Sequence, residues 1–229
     1  AYITHPFIPP SHLPPVEGLR ADGLVAKGYF LAVARLIPDK QIHTLIEAYA
    51  IARQAAPEML AHLPLVLVGG YAGGKAYLQH ISVLVAQTPG VHLLGERCGE
   101  ALETLQAHAL AHVFPTSSEG LAFTMLEAAS FSRPSIVTNL PQNREATGEF
   151  ALEVRPGDRL DLARGLAQFL ALSPEARELM GKKAHQYLRK QFSFNDRVDD
   201  VALLYQELCT GDTSLRTRHA LLEYSLNSV

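Results

Sequence analysis

Two glutamates stand eight positions apart in one short stretch, SSEGLAFTMLEAAS at residues 117–130, and their carboxylates are the first candidates for chemistry. In a continuous helix, eight residues span roughly 12 Å and leave Glu119 and Glu127 about 80° apart around the axis. Glycoside hydrolases hold their two carboxyl groups about 5 to 9.5 Å apart, so a hydrolytic pair fits poorly. The spacing favours contacts at the two ends of an extended ligand. The alternative, two exposed acids that share a helix, stays open.

Two cations lie five positions apart in ARLIPDK, residues 34–40, directly after a short apolar run. The guanidinium of Arg35 offers a forked pair of donors to phosphate oxygens, and the ammonium of Lys40 offers a compact charge. Together they could neutralise a diphosphate. Alternatively, both are solvated loop cations that pair with Asp39.

Two segments offer backbone amides that suit phosphate. LVGGYAGGK at 67–75 places four glycines, Gly70 among them, within six residues, so the backbone can approach a ligand closely or turn tightly. Its spacing matches neither the P-loop nor the dinucleotide fingerprint, and an ordinary flexible loop is the alternative. The amides from Gly120 to Phe123 precede a helix, where free N–H groups and the positive end of the helix dipole favour an anion.

The composition excludes several classes of partner. The 229 residues are 48% hydrophobic and 19% charged, the profile of a globular protein with a sizeable core. With a net charge of −3, no global basic field attracts nucleic acid or an anionic membrane. No apolar run has the roughly eighteen residues of a membrane span. Cys98 and Cys209 form neither a disulfide framework nor a zinc signature, which favours a cytoplasmic location. The histidines lack metal-ligand spacing, so no metal site is expected.

Short apolar runs alternate with longer amphipathic ones along most of the chain. Strands are predicted at 29–34, 63–70, 91–94, 111–115, 134–138 and 150–156. Helices are predicted at 41–55, 75–88, 99–109 and 158–171, within 117–130, and beyond residue 173 in at least two pieces separated near 192–196. This alternation predicts an α/β fold, a Rossmann-like doubly wound parallel sheet with C-terminal helices, in which ligands bind beyond the carboxyl ends of the strands.

The two ends of the chain are expected to differ from its middle. Five prolines fall within the first fifteen residues, so 1–28 is interpreted as an extended interdomain linker. A chain that opens on a linker is expected to be a piece of a longer protein. Residues 29–208 are assigned to the Rossmann-like domain, and 209–229 to a C-terminal tail or helix.

In their order along the chain, these motifs resemble the carboxyl-terminal, donor-binding domain of retaining GT-B glycosyltransferases of family 4, the group 1 transferases. The family pattern is G-R-L-x-x-E-K-G after the first strand, a glycine turn after the second, and later P-S-x-x-E-G-F-G-x-x-x-L-E-A-M-A-x-G-x-P-V. The corresponding segments are ARLIPDKQ (34–41), LVLVGG (65–70), FPTSSEGLAFTMLEAASFSRPSIV (114–137) and NREATGE (143–149). The resemblance extends from residue 29 to about 208, and the paired glutamates after the Arg-x4-Lys pair are its most specific feature.

This resemblance implies a role for each candidate residue. Arg35 and Lys40 would hold the diphosphate of a nucleotide sugar, Glu119 would contact hydroxyls of the donor sugar, and Glu127 would accept hydrogen bonds from the ribose. The backbone near Arg97 and Cys98 would face the base. The further donor contacts implied are Gly70, Arg97, Cys98, Gly120, Leu121, Ala122, Phe123 and Thr124.

The activity implied is transfer of a hexosyl group, with retention, from a UDP-, GDP- or ADP-linked sugar. No metal ion or cofactor is expected, because Arg35 and Lys40 would neutralise the diphosphate. An amino-terminal GT-B domain, which would hold the acceptor and make any peripheral membrane contact, is the expected partner; nucleic acid is not. The alternative is a non-catalytic nucleotide-binding or scaffolding module with the same fold. An epimerase or phosphorylase is less favoured, since no pyridoxal-lysine motif is evident.

The sequence departs from the family pattern at four glycines. Ala34, Gln41, Ala122 and Ser132 stand at these positions. Alanine at 122 requires a compatible φ in the loop, and the change at Ser132 is expected to concern the end of a helix. None of the four removes a charged group, so the implied donor contacts are retained.

Overall fold

The computed structural model describes residues 12–71, 74–120 and 123–211. The chain divides into two compact units. One comprises residues 10–188, and the other includes, among the described residues, 189–211. The first unit contains the sheet and all of the candidate site residues.

The described residues form a six-stranded sheet in which every neighbouring pair is parallel. The strands are β1 (Phe30–Val33), β2 (Leu65–Val68), β3 (Val91–Gly95), β4 (Ala111–Phe114), β5 (Ser135–Thr138) and β6 (Leu152–Val154). Their order across the sheet is β3-β2-β1-β4-β5-β6. The chain therefore runs outward from β1 to β3, crosses to β4, and runs outward again. In such sheets a ligand site lies where the order reverses, which is between β1 and β4.

The helices follow the predicted alternation with strands. They are α1 (Ile42–Ala55), α2 (Pro57–Leu60), α3 (Lys75–Gln87), α4 (Gly99–His108), α5 (Phe123–Ser130), α6 (Pro141–Thr147), α7 (Arg159–Ala171), α8 (Pro174–Gln191) and α9 (Phe194–Thr210). The predicted break near 192–196 is confirmed. The short helices α2 and α6 were not predicted; each starts at a proline, whose fixed φ suits a first helical position. The α/β fold class is confirmed.

Both faces of the central strands are buried, which explains why β1 and β2 are continuous apolar runs in the sequence. Phe30 of β1 and Leu65 of β2 lie in a cluster with residues of α1 and α7. Leu31 and Val66, the next residue of each strand, pack on the opposite face with Leu105 of α4. Successive strand residues point to opposite faces, so helices cover both sides of the sheet.

Residues 12–28 do not run as an extended segment. Val16–Asp22 forms a 3-10 helix. Leu19 and Leu24 pack in the hydrophobic cluster on the face of the sheet that α4 covers. Leu19 is only 1% exposed. The predicted extended conformation was therefore wrong for this part, because two leucines give it a buried side that the proline content did not indicate. Residues 1–11 lie outside the described residues, and the linker assignment stays a prediction.

The carboxyl-terminal assignments also stay predictions. The predicted boundary at residue 208 falls within α9, and the predicted tail, 209–229, is described only as far as Gly211. Along the described parts of the chain, no helix combines the length and the apolar character that crossing a bilayer requires.

Candidate functional site

A cavity of about 220 Å³ lies at the carboxyl ends of β1 and β4, where the strand order reverses. The strands contribute apolar lining residues, including Val33 and Phe114. The predicted site residues that line it are Arg35, Lys40, Glu119, Phe123 and Thr124. The structure thus brings together side chains from two segments that are distant in sequence.

Hydrogen bonds between two loops place Lys40 opposite the segment that carries the first glutamate. A short 3-10 turn, Pro38–Lys40, follows β1. The carbonyl of Asp39 accepts hydrogen bonds from the Ser117 amide at 2.9 Å and from the Thr116 hydroxyl at 3.1 Å. The turn is therefore joined to the loop that leaves β4, and each loop contributes residues to the cavity lining, Lys40 from the first and Thr116 and Glu119 from the second.

Lys40 and Glu119 form an ion pair, in which the Lys40 ammonium donates to Oε1 of Glu119. Their side chains are 16% and 14% exposed. Arg35 is exposed and, among the described residues, has no ion-pair partner. Within the same residues, Asp39 forms an ion pair with neither Arg35 nor Lys40. The alternative in which both cations pair with Asp39 is therefore wrong. The charges lining the cavity sum to one positive charge, which favours an anion.

The segment before α5 is described only in part. A Cβ placed on Gly120 would meet nothing within 4 Å, so this residue faces open space. Phe123, at the start of α5, is 46% exposed. Leu121 and Ala122 lie outside the described residues. The prediction that amides from this segment face a phosphate therefore stays a prediction, as does the required φ at Ala122.

Glu127 lies on the same side of α5 as Thr124, about one turn further along. It is partly buried and is not among the residues that line the cavity. The side-chain amide of Gln106, on α4, donates a hydrogen bond to Oε2 of Glu127. Gln106 is only 1% exposed. Sequence reasoning missed this residue, although a polar side chain among the buried positions 104–107 was a signal.

A buried histidine on the sheet is hydrogen-bonded to the last turn of α4. Nε2 of His112, on β4, lies 2.9 Å from the carbonyl oxygen of Gln106. Since a carbonyl only accepts, Nε2 must carry the proton. Burial lowers the pKa of His112 to about 4, so the ring is neutral at pH 7. Its Nδ1 has no hydrogen-bond partner within the described part of the chain.

Gly120 and three further predicted donor contacts also do not line the cavity. A Cβ on Gly70, after β2, would lie 3.1 Å from a carboxylate oxygen of Glu96. The guanidinium of Arg97, between β3 and α4, is 3.3 Å from a carboxylate oxygen of Asp22. Cys98 is exposed and directly precedes α4. The Arg97 side chain is thus engaged within the protein, and the predicted contact of this backbone with a base stays a prediction.

Two of the departures from the family pattern fall where the backbone is left-handed. Gln41 has a φ of 52° and Ser132 has a φ of 54°, a region that glycine adopts most easily. Gln41 directly precedes α1, and its side-chain oxygen accepts a hydrogen bond from the Thr44 hydroxyl at 2.8 Å. Ser132 follows α5, and its amide donates to the Ala129 carbonyl at 2.9 Å. The expectation that Ser132 concerns a helix end is confirmed.

No three His, Cys, Asp or Glu side chains gather into a possible metal site anywhere in the described ranges. The cavity contains two cations instead, Arg35 and Lys40.

A Rossmann-like sheet with a charged cavity at its point of strand-order reversal is found in several doubly wound folds, one half of a GT-B glycosyltransferase among them. Residues 27–172 match the family model for glycosyl transferases group 1. The chain belongs to the group 1 glycosyltransferases.

Two relatives illustrate the range of its sequence similarity. The chain is 30% identical over 132 residues to the O-antigen chain mannosyltransferase RfbU of Salmonella typhimurium, which covers 58% of this chain and 35% of that protein. It is 27% identical over 215 residues to the D-inositol 3-phosphate glycosyltransferase of Stackebrandtia nassauensis, which covers 89% of this chain and 48% of that protein. The chain thus spans less than half the length of these two curated relatives.

Solved structures confirm the fold. Anabaena HepE, in complex with UDP and glucose, superposes with a TM-score of 0.71 at 18% identity, over 83% of this chain and 51% of that one. The trehalose-6-phosphate synthase OtsA superposes with a TM-score of 0.72 at 16% identity, over 86% of this chain and 47% of that one. At these identities the likeness shows the fold alone.

Proposed function

We propose that this chain binds the nucleotide-sugar donor of a retaining glycosyltransferase and supports transfer of the sugar to an acceptor held by an amino-terminal GT-B domain. One observation carries the proposal: Arg35, Lys40 and Glu119 line a single cavity between β1 and β4. Membership of the group 1 glycosyltransferases supports it, as does the UDP and glucose complex of HepE, which has the same fold.

The diphosphate is the part of the donor that the cavity suits best. Arg35 is exposed beside it, and its planar guanidinium can bind two phosphate oxygens at once. Lys40 supplies a second, compact charge. Two cations so placed would neutralise the diphosphate without a metal ion, which is the charge arrangement the proposal requires.

The ion pair of Lys40 with Glu119 must open when the donor binds. Lys40 would turn to the diphosphate, and Glu119 would accept hydrogen bonds from hydroxyls of the sugar. The amides from Gly120 to Phe123, with the Thr124 hydroxyl, would contact the sugar and phosphate. The donor therefore replaces one ion pair by several charge-assisted hydrogen bonds.

The remaining contacts would extend away from the cavity. Glu127 would accept hydrogen bonds from the ribose, and the backbone at Arg97 and Cys98 would face the base, with Gly70 close to the phosphates. These residues lie outside the cavity lining, so the proposed donor occupies more than the cavity itself. Glu119 lies before α5 and Glu127 lies within it, so one continuous helix does not hold both acids, and they would contact separate parts of an elongated ligand.

Charge separation is the costly step of the proposed reaction. The bond from the sugar to the diphosphate breaks, the leaving nucleoside diphosphate gains negative charge, and the sugar becomes oxocarbenium-like. Arg35 and Lys40 would bind the leaving group more strongly as this charge develops. Interactions that strengthen in the transition state lower the barrier, which is how fixed cations would accelerate the transfer.

Calorimetry with UDP, GDP and ADP and their hexose conjugates tests the proposal. We expect the chain to prefer one base. Arg35→Ala should lower the affinity for that nucleoside diphosphate at least about tenfold, because hydrogen bonds to charged groups contribute about 1.5–3 kcal/mol. Arg164→Ala is the matched control: Arg164 is exposed on α7, pairs with Asp161, and does not line the cavity. Absence of binding to the whole panel, or equal effects of the two substitutions, would contradict the proposal.

A further inference from the structure

We infer that Gln106 is a positioning residue that orients Glu127 toward the ribose, and that it thereby sets a preference for ribonucleotides over 2′-deoxyribonucleotides. The inference rests on the proposed function, because it concerns the nucleotide of the same donor. Gln106 itself is not expected to touch the ligand, since it is 1% exposed.

The hydrogen bond between the two side chains leaves half of the carboxylate available. The Gln106 amide donates to Oε2 of Glu127, and this bond is charge-assisted because the acceptor is a carboxylate. Within the described residues, no donor is bonded to Oε1. Since a carboxylate has two oxygens, fixing one of them presents the other in a defined direction. The free oxygen is the one we assign to the ribose hydroxyls.

Two buried side chains hold the turn of α4 that carries Gln106. The His112 ring donates to the Gln106 carbonyl at 2.9 Å, and the Tyr29 hydroxyl donates to the Leu105 carbonyl at 2.6 Å. The last four carbonyls of a helix lack partners within it, so both bonds satisfy groups that otherwise need solvent. His112 and Tyr29 are each 0% exposed. The backbone at Gln106 is therefore anchored to the sheet, and its side chain starts from a fixed point.

Preorganisation gives this bond a consequence for specificity. A glutamate on a helix surface samples several rotamers and loses that freedom when it binds a hydroxyl. A glutamate already oriented by Gln106 loses less, so its contact with the 2′-hydroxyl contributes more to affinity. A site built to bind a hydroxyl also rejects the analogue that lacks it, because its own polar group is then left without a partner.

The test compares dissociation constants for matched ribo- and 2′-deoxyribonucleoside diphosphates. The base is whichever of UDP, GDP and ADP the wild-type chain binds most tightly. The variants are Gln106→Met and Gln106→Leu, which remove the donor and keep an apolar side chain of similar size. Thr104→Val is the control, because Thr104 lies on the same helix, is 3% exposed, and is two residues from Gln106.

We expect the wild-type chain to bind the ribonucleotide at least about tenfold more tightly than the deoxy form, as a hydrogen bond to a charged group allows. Both Gln106 variants are expected to reduce the ratio of ribonucleotide to deoxyribonucleotide affinity to within about threefold, mainly by lowering the affinity for the ribonucleotide. Thr104→Val should leave the ratio unchanged. Thermal melting confirms folding first, and Gln106→Asn, which cannot reach the same atom, replaces either variant that does not fold.

Two outcomes separate this inference from the function on which it rests. A wild-type chain that binds none of the nucleotides contradicts the proposed function and removes the inference with it. A chain that binds them without preferring ribose would show that the 2′-hydroxyl contributes nothing to affinity, and variants that weaken the binding of both nucleotides equally would show that Gln106 only packs. In either case the inference fails, whereas the proposed binding of the donor diphosphate stands.

Discussion

Lys40 and Glu119, 79 residues apart in the sequence, form an ion pair at the cavity between β1 and β4. Each is proposed to hold a different part of the donor, so a bound donor must separate them. The pair therefore competes with the ligand, and its two members are expected to respond differently to substitution.

Removing the Glu119 carboxylate should affect the binding of the nucleoside diphosphate and of its sugar conjugate differently. Glu119→Gln frees the Lys40 ammonium, so the affinity for the nucleoside diphosphate alone should be unchanged or rise by up to about tenfold, the effect of one charged hydrogen bond. The additional affinity contributed by an attached sugar should fall. Calorimetry with the nucleoside diphosphate and its sugar conjugate, on both proteins, measures the two effects.

Lys40→Met is the matched control, because it removes the partner cation of the same pair. It should weaken both ligands, since the diphosphate is common to them. If Glu119→Gln weakens the bare diphosphate as much as Lys40→Met does, the proposed division of the pair between phosphate and sugar is wrong.

Replacing Ser132 by glycine should stabilise the fold. Its left-handed φ of 54° costs a non-glycine residue roughly 1–2 kcal/mol, partly offset by the greater freedom of glycine in the unfolded chain. We expect Ser132→Gly to raise the free energy of unfolding by about 0.5–1 kcal/mol in urea titrations, with Ser132→Ala giving no gain. A loss of stability in Ser132→Gly would show that the serine side chain makes a contact that compensates for the strained backbone.

Acid should weaken the fold through His112. In the unfolded chain its pKa is about 6.5, whereas in the folded chain it is about 4. Between these values unfolding takes up a proton, so stability from this group is complete above pH 6.5 and falls as the pH approaches 4. The full effect is about 3 kcal/mol, at 1.36 kcal/mol per pKa unit.

His112→Gln isolates that contribution. Its side-chain amide can still donate to the Gln106 carbonyl, but it does not titrate. Urea unfolding of both proteins between about pH 7 and pH 4.5 should show a shallower loss of stability in the variant. Equal slopes would mean that His112 is not held neutral in the fold.

Most of the fold could be predicted because both faces of the sheet are buried. Strands such as β1 and β2 are apolar runs, and an amphipathic helix, α1, follows β1 at helical spacing. The 3-10 helix at Val16–Asp22 could not be predicted from the proline-rich segment, because its formation depends on Leu19 reaching a cluster built by distant strands. Local composition does not contain that information.

The candidate site shows the same division between local and distant information. Residue type and order were enough to select Arg35, Lys40 and Glu119, and the structure places them together. The ion pair was not predicted, because it requires the Asp39 carbonyl to receive the Ser117 amide from another loop. Gln106 was missed for a similar reason: its partner lies on a different helix, 21 residues later.

A crystal structure of this chain with its preferred nucleoside diphosphate would show where the diphosphate binds. We expect diphosphate oxygens in the cavity between β1 and β4, about 2.8 Å from side-chain nitrogens of Arg35 and Lys40, the usual length of a charge-assisted hydrogen bond. A diphosphate bound elsewhere on the chain, with the Lys40–Glu119 pair intact, would contradict this expectation.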